Sequence, residues 1–511
     1  MGLRLRSALP IAHTCVLVSL LFISITPCAA QIAVHTFEGI DASSDPKPEL
    51  NIDPNGAVGT KQYLEWTNVA IQAFDKTTFA PVWSKPQSGI LPWQKAGLSN
   101  CNITGDGFVL FDRLASRWVF GGHNPYSSSG TYYYCIAISN TDDLSSPSLS
   151  WYAYRFYLTP SLGTNAQGHT FFPDWPKLST WIDGYYVAID LLDPDNHYQP
   201  VGALVCALDR TNMLFGGVPR AMQCFTDPPQ PPTASRYLSH SLVPADVEGT
   251  SAPPSGRDEF LVSVQNPPLD GVTVTSGAIN LWDFHLDWNT PSNSTFSNIT
   301  VNVPSYEPGC YDLASVGNTY CVLEPSAPLS GTGHQHVDSV GDRLMPRLAY
   351  RNFGTYESFL VSHTVRVATN AASTRTGVRW YELRGSGTPT LYQQGTINPD
   401  TALYRYVPSI AQDHIGNAAV GYSVASSSVH PGIRASWWNL QAPKSPKEFN
   451  LFTGSADEQG QNYWGSYTSL TVDPVDDCTF WYVDEYFLTQ QVGSTPNWNT
   501  RISNFKLPNC Q

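Results

Sequence analysis

The stretch from Gly333 to Asn352, GHQHVDSVGDRLMPRLAYRN, gathers side chains that could do chemistry in two ways. On a strand, His334, His336 and Asp338 share one face, with the two imidazoles about 7 Å apart at the backbone. A His-x-His pair completed by a carboxylate can hold zinc or another borderline metal. The preceding Ser330-Gly-Thr-Gly333 points instead to histidines on an exposed loop. Further on, Pro346 argues against a helix, so the chain from Arg343 to Arg351 reads as a strand. Arg343, Arg347 and Arg351 then line one face with Met345 and Ala349, and Leu344, Leu348 and Tyr350 line the other. Such a basic face either forms salt bridges, through Asp342 or Glu357, or grips the carboxylate of a uronic or sialic acid.

Carboxylates supply the matching reaction. Glycoside hydrolysis needs one acid to protonate the leaving oxygen and a second as base or nucleophile. Asp342, Glu357, Asp413 and Asp473 stand at the turn ends of strand-like segments and are the candidates. Removal of a proton alpha to a uronate carboxyl is the other route, with His169, His285, His363 and Tyr422 as the pool of bases. Against both stands the common role of such an aspartate, which is to bond its own turn backbone. No cofactor is required by this chemistry. Ca2+ or another divalent metal could be held by Asp190, Asp193 and Asp195 or by Asp473, Asp476 and Asp477. Gly-x-Ser-x-Gly, a glycine-rich phosphate loop, His-Glu-x-x-His and an EF-hand loop are all missing.

The elements that must position these residues are strands. Turn, alternating strand, turn and aromatic-rich strand recur along the chain. Gly105-Asp-Gly leads to Val109-Leu-Phe-Asp112 and then to Trp118-Val-Phe, and Pro173-Asp-Trp-Pro leads to Trp181-Ile-Asp-Gly-Tyr-Tyr-Val-Ala188. Ile410-Ala-Gln-Asp413 and Leu470-Thr-Val-Asp473 are the best internal match, each a strand ending in Asp before a tight turn. About seven such units follow one another without a linker, and small sheets of this kind bury their faces only by packing radially. The expectation is an all-β, disulfide-bonded β-propeller of seven blades. Six is the counting alternative, and a pair of β-sandwiches is the rival architecture. Most Trp and Tyr should then lie between blades.

Gly341 to Phe353, Val378-Arg-Trp-Tyr-Glu-Leu-Arg384 and the run from Trp464 to Tyr482 resemble a group of large secreted microbial proteins. That group is similar at fold level to sialidase-like propellers. The resemblance extends from about residue 50 to the C-terminus. It implies secretion and the fold, and it carries no particular reaction.

Composition agrees with export. Arg4 and Arg6, an apolar run from Cys15 to Ile25 and small residues at Cys28-Ala-Ala30 read as a signal peptide over residues 1–30, leaving 31–511 as a single propeller domain. Eight of the ten cysteines remain: Cys101, Cys135, Cys206, Cys224, Cys310, Cys321, Cys478 and Cys510. An even number in an oxidising compartment implies disulfides. Chain proximity suggests 206–224 and 310–321, with 101–135 and 478–510 following. Asn102, Asn293 and Asn298 head glycosylation sequons. The net charge of −14, without a lysine-rich run, excludes nucleic acid and argues against adhesion to anionic membranes. The expected product is a monomeric, extracellular or periplasmic protein with no membrane insertion. It would be carbohydrate-active at a channel mouth, or alternatively a non-catalytic binder of glycans or cell-surface proteins.

Overall fold

The computed structural model describes residues 32–98, 100–103, 105–124, 130–226, 241–265, 277–310, 320–326, 336–367, 375–442, 445–459, 461–490 and 495–510. The expected signal peptide and His334 lie outside these residues.

The chain is all-β. Five four-stranded sheets and one eight-stranded sheet account for most of it, and the eight-stranded sheet divides into two four-stranded meanders. Their first strands are Asn55–Val58, Phe108–Asp112, Phe172–Thr180, Val243–Glu248, Leu348–Asn352, Tyr404–Gln412 and Ser469–Val472. We number the sheets one to seven in that order. Each first strand neighbours the next, and that of sheet seven returns to that of sheet one, so the first strands close a β-propeller-type ring. Those of sheets four and five run parallel, with Ala245 opposite Leu348. The N-terminal strand Val34–Asp41 pairs antiparallel with Asn499–Lys506 and completes sheet seven, fastening the chain's beginning to its end.

Apart from those of sheets four and five, a first strand has one edge free of sheet pairing, and an unpaired edge must be satisfied. Side chains from neighbouring sheets do this. Asn55 donates from Nδ2 to the Tyr467 carbonyl (3.2 Å) and accepts the Val109 amide at Oδ1 (2.8 Å), linking sheets seven, one and two. The Thr180 amide donates to Asp246 (3.1 Å), Gln412 Nε2 to the Ala349 carbonyl (3.2 Å), and the Leu470 amide to Ser409 Oγ (3.0 Å).

Aromatic side chains fill the space between sheets, as the repeats imply. Tyr63 stacks on Trp481 at 5.4 Å, Trp181 meets Tyr350 edge-on at 4.7 Å, and Trp380 lies 4.4 Å from Trp438. Gly107 is required by this packing, because a Cβ there would fall 2.3 Å from the Trp66 ring. Disulfides join Cys101–Cys135, Cys206–Cys224, Cys310–Cys321 and Cys478–Cys510. Cys206 and Cys224 face each other across adjacent strands, and Cys478–Cys510 ties the C-terminus to sheet seven.

The expected arginine strand is corrected here. The strand starts only at Leu348, and residues 341–347 are irregular. Pro346 has no N–H to give to a ladder, and the Arg347 amide closes a tight turn onto the Met345 carbonyl (2.8 Å). Arg343, Arg347 and Arg351 therefore do not share a face.

Glu65 is fully buried where the N-terminal strand closes the ring. It accepts the Ile40 amide at 2.8 Å. Burial is the main reason its pKa is raised to about 8, opposed by hydrogen bonds from Thr500 and Ile40. The native state thus holds a proton that the unfolded chain releases above its ordinary carboxylate pKa. That contribution to stability is complete below about pH 4.5 and is lost as pH rises toward 8, at about 1.4 kcal/mol per pH unit. Glu65→Gln cannot ionise, so its stability relative to wild type should rise between pH 5 and pH 8. Urea midpoints measured at both values would show it, and parallel curves for the two proteins would refute it.

Candidate functional site

The strongest concentration of chemistry lies where the first strands begin, at one end of the ring. Asp53 and Asp106 stand two residues before the first strands of sheets one and two, and Asp174 lies just ahead of a bulge in that of sheet three. Each is placed by a kinked backbone: φ is +37° at Asp53, +50° at Asp106 and +51° at Trp175. Asp tolerates this left-handed region better than most residues, because its short side chain bonds locally.

Asn68 braces the first two acids. Its Nδ2 donates to Asp53 Oδ2 (3.1 Å) and to the Asn51 carbonyl (2.7 Å), while its Oδ1 accepts the Asp106 amide (3.1 Å). Asn51 donates a second bond to Asp53 Oδ2 (3.0 Å), and the buried Asp53 Oδ1 makes no well-directed bond, although the Ser466 side chain is near enough to help hold the pKa down. Burial raises the Asp53 pKa to about 7, with the nearby Asp174 charge adding to it and the amide donors opposing it. Asp106 is pushed well above the carboxylate range by burial and by Asp174 and Asp53. Asp174 is also raised by burial and Asp190, while Arg343 and Lys177 pull it down.

The cations are built in beside the acids. Lys177 is buried, 3.5 Å from Asp190, and burial lowers its pKa to about 8 against the pull of Asp190. Arg343 forms a fork with Asp342 (2.9 and 2.7 Å), approaches Asp190 at 3.8 Å, and lies 4.5 Å over the Trp175 ring. Trp175, half-buried, packs 5.1 Å from the buried Tyr467. Asp106 and Asp174 are also half-buried, so solvent reaches them. Behind them lies His123, fully buried, whose pKa falls to about 4. The Pro173 carbonyl is near enough to oppose that fall without forming a well-directed bond.

Part of the segment singled out by sequence arrives here. Arg343 and Asp342 do, and Asp338 acts electrostatically on Arg343. Asp338 also accepts the Val340 amide (2.7 Å), and His336 is half-buried. The other arginines are paired elsewhere. Arg347 lies 3.0 Å from both Asp246 and Glu248, and Arg351 forks onto Asp477 (2.7 and 2.8 Å) while donating to the Gln412 carbonyl (3.0 Å). Glu357 accepts from Tyr350 (2.6 Å) and Arg257 (3.1 Å). Asp413 ends the first strand of sheet six and bonds its own turn, accepting the Ile415 and Asn417 amides (3.1 and 2.8 Å). Asp473, its counterpart in sheet seven, accepts from Lys76 (2.7 Å) and the Val475 amide (2.9 Å).

The expected lyase bases are engaged outside the acidic set: His169 with Asp195, His285 with Asp258, His363 with Tyr381 and Tyr422 with Glu448. Of the expected calcium ligands, Asp190 joins the site, whereas Asp193 and Asp195 bond Asn165. Asp476 bonds its own turn through the Cys478 and Thr479 amides (3.0 and 2.9 Å), and Asp477 holds Arg351. The sequon asparagines Asn102, Asn293 and Asn298 are exposed.

Sequence reasoning missed Asp53, Asp106, Asp174 and His123. The available signal was phase: Asp53-Pro and Asp106-Gly stand two residues before a first strand, and Asp174-Trp stands near the start of one, in three consecutive repeats.

No protein-family model matches the chain, and no curated protein matches it. Among solved structures it is similar to an alpha-L-arabinanase of Penicillium chrysogenum complexed with arabinobiose, at 10% identity and TM-score 0.37 over 93% of this chain and 100% of that one. A subtype N10 neuraminidase-like protein of A/little yellow-shouldered bat/Guatemala/060/2010 matches at 6% identity and TM-score 0.35, over 80% and 98% of the two chains. The endo-arabinase of Bacteroides thetaiotaomicron gives 11%, 0.28, 70% and 95%. Likeness at this level carries no argument about chemistry, which rests on the geometry above.

Proposed function

We propose that residues 31–511 form a single seven-bladed β-propeller, exported to an extracellular or periplasmic space, that hydrolyses glycosidic bonds at its channel mouth. The observation that carries this reading is the convergence of Asp53, Asp106 and Asp174 from three consecutive sheets, beside Lys177, Arg343 and Trp175. Asp53 suits the proton donor. Its pKa of about 7 keeps a large share of it protonated at neutrality, and its buried Oδ1 makes no well-directed bond within the protein. Asp174, raised by burial and by Asp190 but opposed by Arg343 and Lys177, supplies negative charge for an oxocarbenium-like transition state when it ionises. Trp175 offers a ring face for a sugar, and the half-buried carboxylates can accept sugar hydroxyls.

The test of glycan recognition is affinity electrophoresis against a panel of plant, fungal and bacterial polysaccharides. Wild type should be retarded by at least one of them. Trp175→Ala should weaken that retardation on the order of tenfold, the loss typical of removing an aromatic anchor. Retardation that Trp175→Ala leaves unchanged would place the glycan elsewhere.

A further inference from the structure

One side chain at this site is not explained by acid–base chemistry. His123 ends the strand Arg117–His123, is fully buried, and makes no well-directed hydrogen bond from either ring nitrogen, the Pro173 carbonyl being only a loose neighbour. An unpaired buried polar group costs about 1–3 kcal/mol, so a fold that keeps one there leaves something unmatched. A ring nitrogen of His123 and carboxylate oxygens of Asp106 and Asp174 all lie within 4.8 Å of one another.

Among the described residues only one other group of three such side chains is this close, His414 with Cys478 and Cys510, and its sulfurs are joined in a disulfide. From this arrangement we infer that Asp106, His123 and Asp174 bind a divalent transition ion of the Mn2+ or Zn2+ class. One imidazole nitrogen with carboxylate oxygens suits such borderline ions. Calcium prefers a shell of about 6–8 oxygens.

The supporting structure is of the kind a metal site needs. The Asp106 backbone is pinned by Asn68 at 3.1 Å in a left-handed turn, so its carboxylate is presented from a fixed position. Asp174 sits at a bulge, a common way of aiming a side chain out of a strand. Both acids are half-buried, which leaves the ion a route from solvent, and His123 closes the inner side. A bound cation would balance two carboxylates that otherwise repel, and each would keep a second oxygen for the mouth. The inference does not depend on the glycan reading, because ion binding is measured without substrate.

The experiment uses the full chain stripped with chelator. Calorimetric titration with MnCl2 and ZnCl2 should show a single saturable site for at least one ion. Pulsed EPR of the Mn2+-loaded protein should show coupling to nitrogen. Asp106→Asn should bind about tenfold more weakly or worse, and Asn accepts the left-handed φ, so the fold is kept. His123→Gln should abolish the nitrogen coupling. If circular dichroism shows that His123→Gln does not fold, Asp106→Asn and Asp174→Asn decide alone. No binding at millimolar metal, unchanged affinity in both Asp variants, or tighter binding of CaCl2 than of either ion would overturn the assignment.

Discussion

Arg347→Leu should destabilise the protein by about 3–5 kcal/mol, the cost of stranding a buried charge by removing its partner. Arg347 is 8% exposed and lies 3.0 Å from both Asp246 and Glu248, on the first strand of sheet four. Burial already raises the Asp246 pKa, and Arg347 is the strongest influence holding it down. Without the guanidinium, Asp246 moves further above its unfolded value. The variant's native state then retains a proton that the unfolded chain gives up as pH rises. Its deficit should accordingly be small near pH 4 and large at pH 7. Replacing all three groups, as Arg347→Leu, Asp246→Asn and Glu248→Gln together, should recover part of the loss, because neither carboxylate is then left charged without Arg347, while Arg113 loses Glu248 as a countercharge. Urea unfolding at both pH values reads this out through the midpoint. A single variant within about 1 kcal/mol of wild type at pH 7 would show that the cluster is not structural.

Asp53→Asn should lower glycan turnover by about 10²–10⁴-fold, the range typical of losing a positioned proton donor. The substitution is mild for the fold. Asn tolerates φ of +37° and resembles the protonated carboxyl that burial favours, so the brace formed by Asn51 and Asn68 can persist. Proton donation requires Asp53 to be neutral. Wild-type activity should therefore decline on the alkaline side as pH rises through about 7, where Asp53 ionises. Asp53→Asn should lack that limb in whatever activity remains. Unfolding curves for the two proteins should stay close, which separates lost chemistry from lost structure.

The repeats were legible because each sheet but the seventh, which takes its last strand from the N-terminus, is written in contiguous residues. Alternation marks the strands, and the matched ends at Asp413 and Asp473 close the first strands of sheets six and seven. Trp and Tyr as packing between sheets followed from the same pattern. The arginine face failed for a local reason, since the turn at Pro346 delays the strand to Leu348 and sends Arg343 one way and Arg347 another. The acidic site was hidden for a different reason. Asp53, Asp106 and Asp174 each look like ordinary turn-formers, and only the ring brings three separate repeats together. His123 gave no local signal, because its importance lies in burial without a well-directed bond. Asp342 and Arg343 were found by sequence for their charge, and their placement beside Asp190 and Trp175 needed the fold.

The most direct measurement is product release from the polysaccharide that retards wild type most strongly, compared between wild type and Asp53→Asn at pH 6. The account predicts new reducing ends from wild type, at least a hundredfold fewer from the variant, and equal retardation of both. Retardation without product from wild type, or equal product from the two proteins, would contradict it.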